Sequence, residues 1–196
     1  MLLNRDDRER QLIASIQSLL TRQRRAVVTL GGESGTGKSS LARAVAEAFP
    51  QETFVLALDD YFRLPPRQNH TRRMADPEWV GLGEVDLDRL QLHVDAFLAG
   101  ATELTIPQLD RAADCFHQIE VGLAAIRILV VEGTYATRLG GIDLRVFLDG
   151  DPATTELARR ERGRDVFDDA TARALEVEHR LLRLERERAQ LVLRQR

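Results

Sequence analysis

One run of eight residues carries the clearest chemistry in this chain: Gly32-Glu33-Ser34-Gly35-Thr36-Gly37-Lys38-Ser39, a full match to G-x-x-x-x-G-K-[ST]. Glycines at these positions let the backbone wrap an anion with successive N–H groups turned inward. A helix opening near Lys38 adds the positive end of its dipole. The Lys38 ammonium would reach the β- and γ-phosphates of ATP. The Ser39 hydroxyl would be a hard oxygen ligand for Mg²⁺, and Ser40 would add a phosphate contact. Of the 28 basic residues, 27 are arginine, and the single lysine is Lys38. Compositional bias explains the surface arginines. An ammonium kept inside the loop fits a need for a compact point charge in place of a planar fork.

Transfer of a phosphoryl group needs three more things: a carboxylate near the nucleophile, an acid that supports the metal, and cations over the migrating group. Asp59 and Asp60 close an apolar strand, and Glu132 closes another. Strand ends are where open parallel sheets hold ligands. Arg159, Arg160, Arg162 and Arg164 flank Gly163, a pattern suited to a closing basic lid. Taken alone, the aspartates also suit helix caps and the arginines a solvated helix face. Cys115 and His117 form a lone C-x-H, and the four histidines show no metal-ligand spacing, which argues against a zinc site.

Elements that would position these groups follow from periodicity. Leu12, Ile13, Ile16, Leu19 and Leu20 give residues 5–22 an amphipathic helical pattern. Ala26–Leu30 reads as a buried strand feeding the glycine loop, and helix resumes from Lys38 to Ala48. Thr53–Leu58 is a second strand. Residues 63–81 hold three prolines without a clean period and read as loop-rich. Asp86–Leu98 is helical, and Glu103–Pro107 with Phe116–Val121 suits a hairpin-like excursion. Ile126–Val131 and Leu144–Leu148 are further strands. The chain from Thr154 is charged and mostly helical, ending in either a helix or a strand at Gln190–Leu193. Strands alternating with helices predict an α/β fold: a three-layer P-loop domain over 1–196 with about five mostly parallel strands, an acceptor excursion at 61–122 and a short lid at 153–168.

Composition narrows the partners. Hydrophobic residues make up 43% and charged residues 30%, enough for a core. The net charge of −3 leaves no electrostatic footprint for nucleic acid or for an anionic membrane. A single cysteine and no signal-like apolar run fit a cytoplasmic protein. A homo-oligomer stays open. A guanine-specific switch normally needs a second lysine in its base-reading motif, which this chain lacks.

The segments GGESGTGKSS, LALDDYFR, DPEWVGLGEVDLDRL, TIPQLD, ILVVEGTYA and VFLDGDPATTELARRERGRD, in this order, resemble the uridine kinase and phosphoribulokinase family of P-loop kinases. The resemblance covers most of the chain. It implies an ATP- and Mg²⁺-dependent kinase acting on a hydroxyl of a small molecule. Asp59 would be the catalytic aspartate that polarises the acceptor and, with Ser39 and Glu132, would belong to the Mg²⁺ site, and Glu132 would also border the acceptor. Arg159 and Arg164, with Arg162 close by, would neutralise the transferring phosphoryl. Tyr61, Phe62 and Arg63 would lie where the acceptor pocket begins, and Asp110 in the acceptor-binding turn. Uridine kinases carry a tyrosine before that aspartate and a histidine four residues after it. Here those positions are Leu109 and Asp114, which opens the acceptor to vitamins, sugars or sugar phosphates beside nucleosides. The competing reading is a P-loop ATPase acting as a regulatory module.

Overall fold

The computed structural model describes residues 5–150, 155, 156, 159 and 168–194. Its centre is a five-stranded sheet of order β2-β5-β1-β6-β7, with every neighbouring pair parallel. The strands are β1 (Ala26–Gly32), β2 (Thr53–Ala57), β5 (Ile128–Glu132), β6 (Leu144–Asp149) and β7 (Leu191–Arg194). All seven residues of β1 are buried, as befits the middle strand of a sheet covered on both faces. Alternate side chains divide between two cores. Val28, Leu30, Ile128 and Val130 pack with Leu12 and Ile16 of α1 (Arg5–Leu20) and with Leu41 and Val45 of α2 (Lys38–Ala48). Val27, Leu129 and Val131 pack on the other side with Leu90, Val94 and Phe97 of α4 (Leu87–Leu98), whose first turn is capped by the Asp86 side chain. The α/β three-layer expectation therefore describes the molecule. No helix among the described residues is long and apolar enough to cross a membrane.

Strand register sets up the site. Leu30 of β1 is level with Glu132 of β5, and Glu132 is level with Ala57 of β2. Three strands thus deliver the glycine loop, Glu132 and the Leu58–Tyr61 turn to one edge of the sheet. Gly133 closes this edge at φ +155; a Cβ there would sit 2.2 Å from Cβ of Leu58.

The structure departs from the sequence expectation in residues 63–81. The segment contains a helix, α3 (Pro66–Ala75), followed by short 3₁₀ turns at Pro77–Trp79 and Leu82–Glu84. Pro66 stands at the start of α3, where a missing N–H costs nothing. Only Asn69 of α3 is buried, so no apolar stripe announces the helix. The antiparallel hairpin β3 (Glu103–Asp110) and β4 (Cys115–Gly122) runs longer than its apolar pattern suggests. The C-terminal helix is α5 (Asp169–Glu187), and Gln190–Leu193 ends in a strand: β7 pairs with β6 from Leu191↔Val146.

Candidate active site

The glycine loop joins β1 to α2, with Gly37 in the left-handed region at φ 90 as the residue before the helix. Lys38 is buried, and its Nζ donates to the carbonyls of Gly32 (2.9 Å) and Glu33 (2.8 Å). The ammonium therefore braces the loop while lining the cleft. Thr36 Oγ1 donates to the Glu33 carbonyl at 2.8 Å. Ser39 Oγ donates to Glu132 Oε1 at 2.8 Å. Gly35 leaves room for neighbours: a Cβ there would meet Thr155 at 2.9 Å and Arg159 Cγ at 3.0 Å. Arg159 is thus buried against the loop, whereas Arg162 and Arg164, and with them most of the lid, lie outside the described residues.

A cleft of about 760 Å³ opens from this loop; Ser34, Gly35, Gly37, Lys38, Ser39 and Ser40 form its phosphate end. Asp59, Phe62 and Glu132 also line it. A second cleft of about 610 Å³ shares Ser39, Asp59, Leu109, Arg111 and Glu132 with the first and adds Asp110 and His117. The Ser39–Glu132 pair fits a magnesium–nucleotide complex. Mg²⁺ in such sites takes one or two protein oxygens and draws its other ligands from phosphates and water. Consistent with that donor set, the described residues hold no group of three or more His, Cys, Asp or Glu able to bind an ion unaided.

The turn after β2 sorts its residues by face. Side chains three apart eclipse in a 3₁₀ turn. Leu58 and Tyr61 therefore both enter the core, at 1% and 2% exposure, while Asp59 faces the cleft. Tyr61, expected at the acceptor pocket, is turned away from it, and its hydroxyl pairs with His93 Nδ1 at 2.7 Å. Arg63 also stands off the cleft, 3.7 Å from Asp86. Asp59 is ion-paired with Arg111 from the β3–β4 turn. Asp60 Oδ1 accepts from the Leu109 N–H at 2.8 Å; burial pushes its carboxyl above the usual range, the Leu109 N–H opposes this, and the Asp59 charge reinforces it. Asp110 Oδ1 accepts from the N–H groups of Ala112 and Ala113, both at 2.9 Å, and so shapes the turn that presents Arg111.

The far wall is built by α3 and α5 and was not among the candidates read from the sequence. Thr171, Ala174, Leu175 and Glu178 form one helical stripe of α5 facing the cleft. Opposite them, Asn69, His70 and Arg73 project from α3. Glu84, fully buried, accepts from Asn69 Nδ2, Arg73 Nε and the Gly81 N–H at 2.5, 2.6 and 2.6 Å. Trp79 Nε1 donates to Asn69 Oδ1 at 2.7 Å, which fixes that amide's orientation. On the next residue of α5, His179 Nδ1 pairs with Glu33 Oε1 at 2.7 Å and ties the glycine loop to this wall. Burial raises the Glu33 pKa, opposed by His179, Lys38 and Arg159. Burial also pushes Glu178 up to about 7, against the pull of Arg73. The sequence offers only a helical spacing here: Ala174, Glu178, Leu182 and Glu185 fall on one face of α5, which the structure shows to be buried with its two carboxylates.

A phosphate-wrapping loop at the end of a central parallel strand, with a serine–glutamate pair beside it, defines a P-loop protein. Residues 25–133 match the family model described as chloramphenicol phosphotransferase-like protein, and the chain belongs to that family. It is 30% identical over 188 residues to the bifunctional α-galactosidase/sucrose kinase AgaSK of Mediterraneibacter gnavus, covering 87% of this chain and 20% of that protein. It is 26% identical over 140 residues to a uridine kinase of Halobacterium salinarum, covering 69% of this chain and 61% of that one. The chain thus spans a fifth and about three fifths of the curated relatives it matches. A solved structure described as a possible uridine kinase from Bacillus stearothermophilus superposes with a TM-score of 0.65 at 22% identity, covering 96% of this chain and 98% of that chain.

Proposed function

We propose that the protein is an ATP- and Mg²⁺-dependent kinase that phosphorylates a hydroxyl of a small polyhydroxylated metabolite. The observation that carries this reading is the pairing of two chemistries in one cleft: Lys38 and the Ser39–Glu132 pair at one end, and the Asp59 carboxylate beside them. Lys38 and the loop amides would hold the β- and γ-phosphates, and Ser39 with Glu132 would hold Mg²⁺, which neutralises phosphate charge. The acceptor oxygen forms a bond to the γ-phosphorus as the bond to the bridging oxygen breaks, and the electron pair leaves with ADP. Asp59 orients the hydroxyl and takes its proton. Arg111, now paired with Asp59, would have to yield part of that contact to the acceptor. Arg159, whose Cγ packs against Gly35, would serve charge neutralisation, and we assign Arg162 and Arg164 the same task by family resemblance.

For the acceptor we favour a sugar. Leu109 and Asp114 replace the tyrosine and histidine expected of a uridine site, and the 30% identical relative contains a sucrose kinase. A nucleoside is the second reading, supported by Phe62 and Phe116, two aromatic rings lining the cleft on which a base can stack. The lone Cys115 suits a reducing, cytoplasmic setting. ADP release measured with and without sugars, nucleosides, vitamins and sugar phosphates tests the proposal: release should require an acceptor. Equal release without any acceptor would favour the ATPase reading instead.

A further inference from the structure

Glu178 stands out on the α3–α5 wall because its largely buried carboxylate opens on the cleft and is held only loosely by Arg73. It is 9% exposed and faces the cleft. Among the described residues its ion pair is with Arg73 Nη2 at 3.6 Å, beyond hydrogen-bond reach. Arg73 is itself committed, through Nε at 2.6 Å, to Glu84. Glu84 by contrast accepts three hydrogen bonds, from Asn69, Arg73 and the Gly81 N–H. A largely buried carboxylate that opens on a cleft keeps acceptor capacity that water, or a ligand displacing that water, fills.

We propose, resting on the kinase reading above, that Glu178 is an acceptor-binding residue whose carboxylate receives hydroxyl groups of a neutral carbohydrate, while another hydroxyl of the same molecule is presented to Asp59. The chemistry follows from the donor inventory. A carboxylate accepts only, through two oxygens, and so matches hydroxyl donors on neighbouring carbons. Charge acts locally against anionic acceptors: on this wall Glu84 and, when ionised, Glu178 share one guanidinium, Arg73, whereas Lys38 stands at the phosphate end and Arg111 on the hairpin, so an anion placed beside Glu178 meets a like charge. Arg67, the other cation of α3 at the cleft, is exposed on the rim, where solvent screens it. Burial raises the affinity of Glu178 for its proton, and a carboxylic acid still meets a sugar hydroxyl on favourable terms, as donor or acceptor. An analogue lacking the contacting hydroxyl leaves the carboxylate unpaired and is rejected more strongly than its lost contact area implies.

The test uses the full chain with Glu178→Gln and Glu178→Ala. Acceptor kcat and KM are measured at saturating Mg·ATP for neutral mono- and disaccharides, sugar phosphates and nucleosides. The same sugars are titrated calorimetrically into protein holding a non-hydrolysable ATP analogue. Neutral sugars should be the best acceptors. In Glu178→Ala the KM and the dissociation constant for the best sugar should rise roughly 10–100-fold, the loss expected for a hydrogen bond to a charged group. Glu178→Gln should rise less, with kcat within a few-fold and Mg·ATP affinity unchanged in both. Unchanged sugar KM and binding, a loss confined to kcat or to Mg·ATP affinity, or preference for sugar phosphates or nucleosides would each overturn the proposal. If Glu178→Ala does not fold, the near-isosteric Glu178→Gln decides. If wild-type protein phosphorylates nothing, the kinase reading fails, and the calorimetric comparison still decides whether Glu178 holds carbohydrate.

Discussion

Substituting Lys38→Arg asks whether the loop needs a point charge or merely a positive one. Lys38 is buried, and Nζ lies 2.9 Å and 2.8 Å from two loop carbonyls. Each such charge-assisted bond is worth roughly 1.5–3 kcal/mol. A longer, planar guanidinium cannot occupy the same enclosure without displacing the loop, an overpacking cost of about 1–3 kcal/mol. The change should therefore lower the melting temperature by roughly 2–12 °C for a chain of this size. The functional loss should be larger. A misplaced electrostatic contact to the transferring group costs ~10²–10³ in turnover. Scanning fluorimetry separates the two effects. Mg·ATP at a hundred times its dissociation constant adds about 2.7 kcal/mol, or roughly 5–11 °C, to the wild-type melting temperature. The variant should gain less than ~2 °C at that concentration. A Lys38→Arg protein that keeps both the full nucleotide shift and wild-type turnover would show that geometry is unimportant, and that the lone lysine among 27 arginines is compositional accident.

Four further outcomes are expected. Asp59→Asn should lower acceptor-dependent turnover at least ~100-fold while the Mg·ATP melting shift stays intact, and undiminished turnover would remove Asp59 from the chemistry. Glu132→Gln should raise the Mg²⁺ concentration for half-maximal activity roughly 10–100-fold, as read from a metal titration at fixed ATP. Gly133→Ala should destabilise by at least about 2 kcal/mol in denaturant melts, because its Cβ would lie 2.2 Å from that of Leu58 at φ +155. In Glu178→Gln, stability should lose a pH dependence. The Glu178 pKa is about 7 in the folded chain against an ordinary 4.5, so the folded state binds its proton more tightly, and wild-type stability falls as pH rises from about 4.5 to 7. The variant should melt several degrees above wild type at pH 8 and lose that advantage near pH 4; identical profiles would contradict the shift.

The elements that face the sheet were legible because burial writes itself as periodicity. β1 and β5 are apolar runs of strand length, and α4 repeats its core contacts at Leu90, Val94 and Phe97. The glycine loop was legible because phosphate wrapping admits few residue types. What escaped is what packs by polar contact. α3 is held through Asn69 and Arg73 to Glu84, and that network leaves no hydrophobic pattern to read. Tyr61 escaped for a local reason: adjacent residues of a 3₁₀ turn diverge, so a motif that runs Asp59-Asp60-Tyr61 in sequence does not run along one surface. Arg111 and Glu178 reach the cleft from a hairpin and a helix far away in the chain, and no local spacing relates them to Lys38.

Register explains why such distant residues work as one unit. Parallel pairing brings the C-terminal ends of β1, β2 and β5 to one edge, so the loop, Asp59 and Glu132 share an address without sharing a neighbourhood in sequence. Polar contacts tie the remaining walls to that edge, among them Arg111 to Asp59 from the hairpin and His179 to Glu33 from α5. The first links the acceptor hairpin to the group that would take the proton, and the second links the acceptor helix to the loop that would hold the phosphates. Each contact spans the two halves of the proposed reaction. Strand register fixes the glycine loop, Asp59 and Glu132, while the hairpin is fastened to them by an Arg111–Asp59 contact for which, in the proposed reaction, a bound hydroxyl would compete.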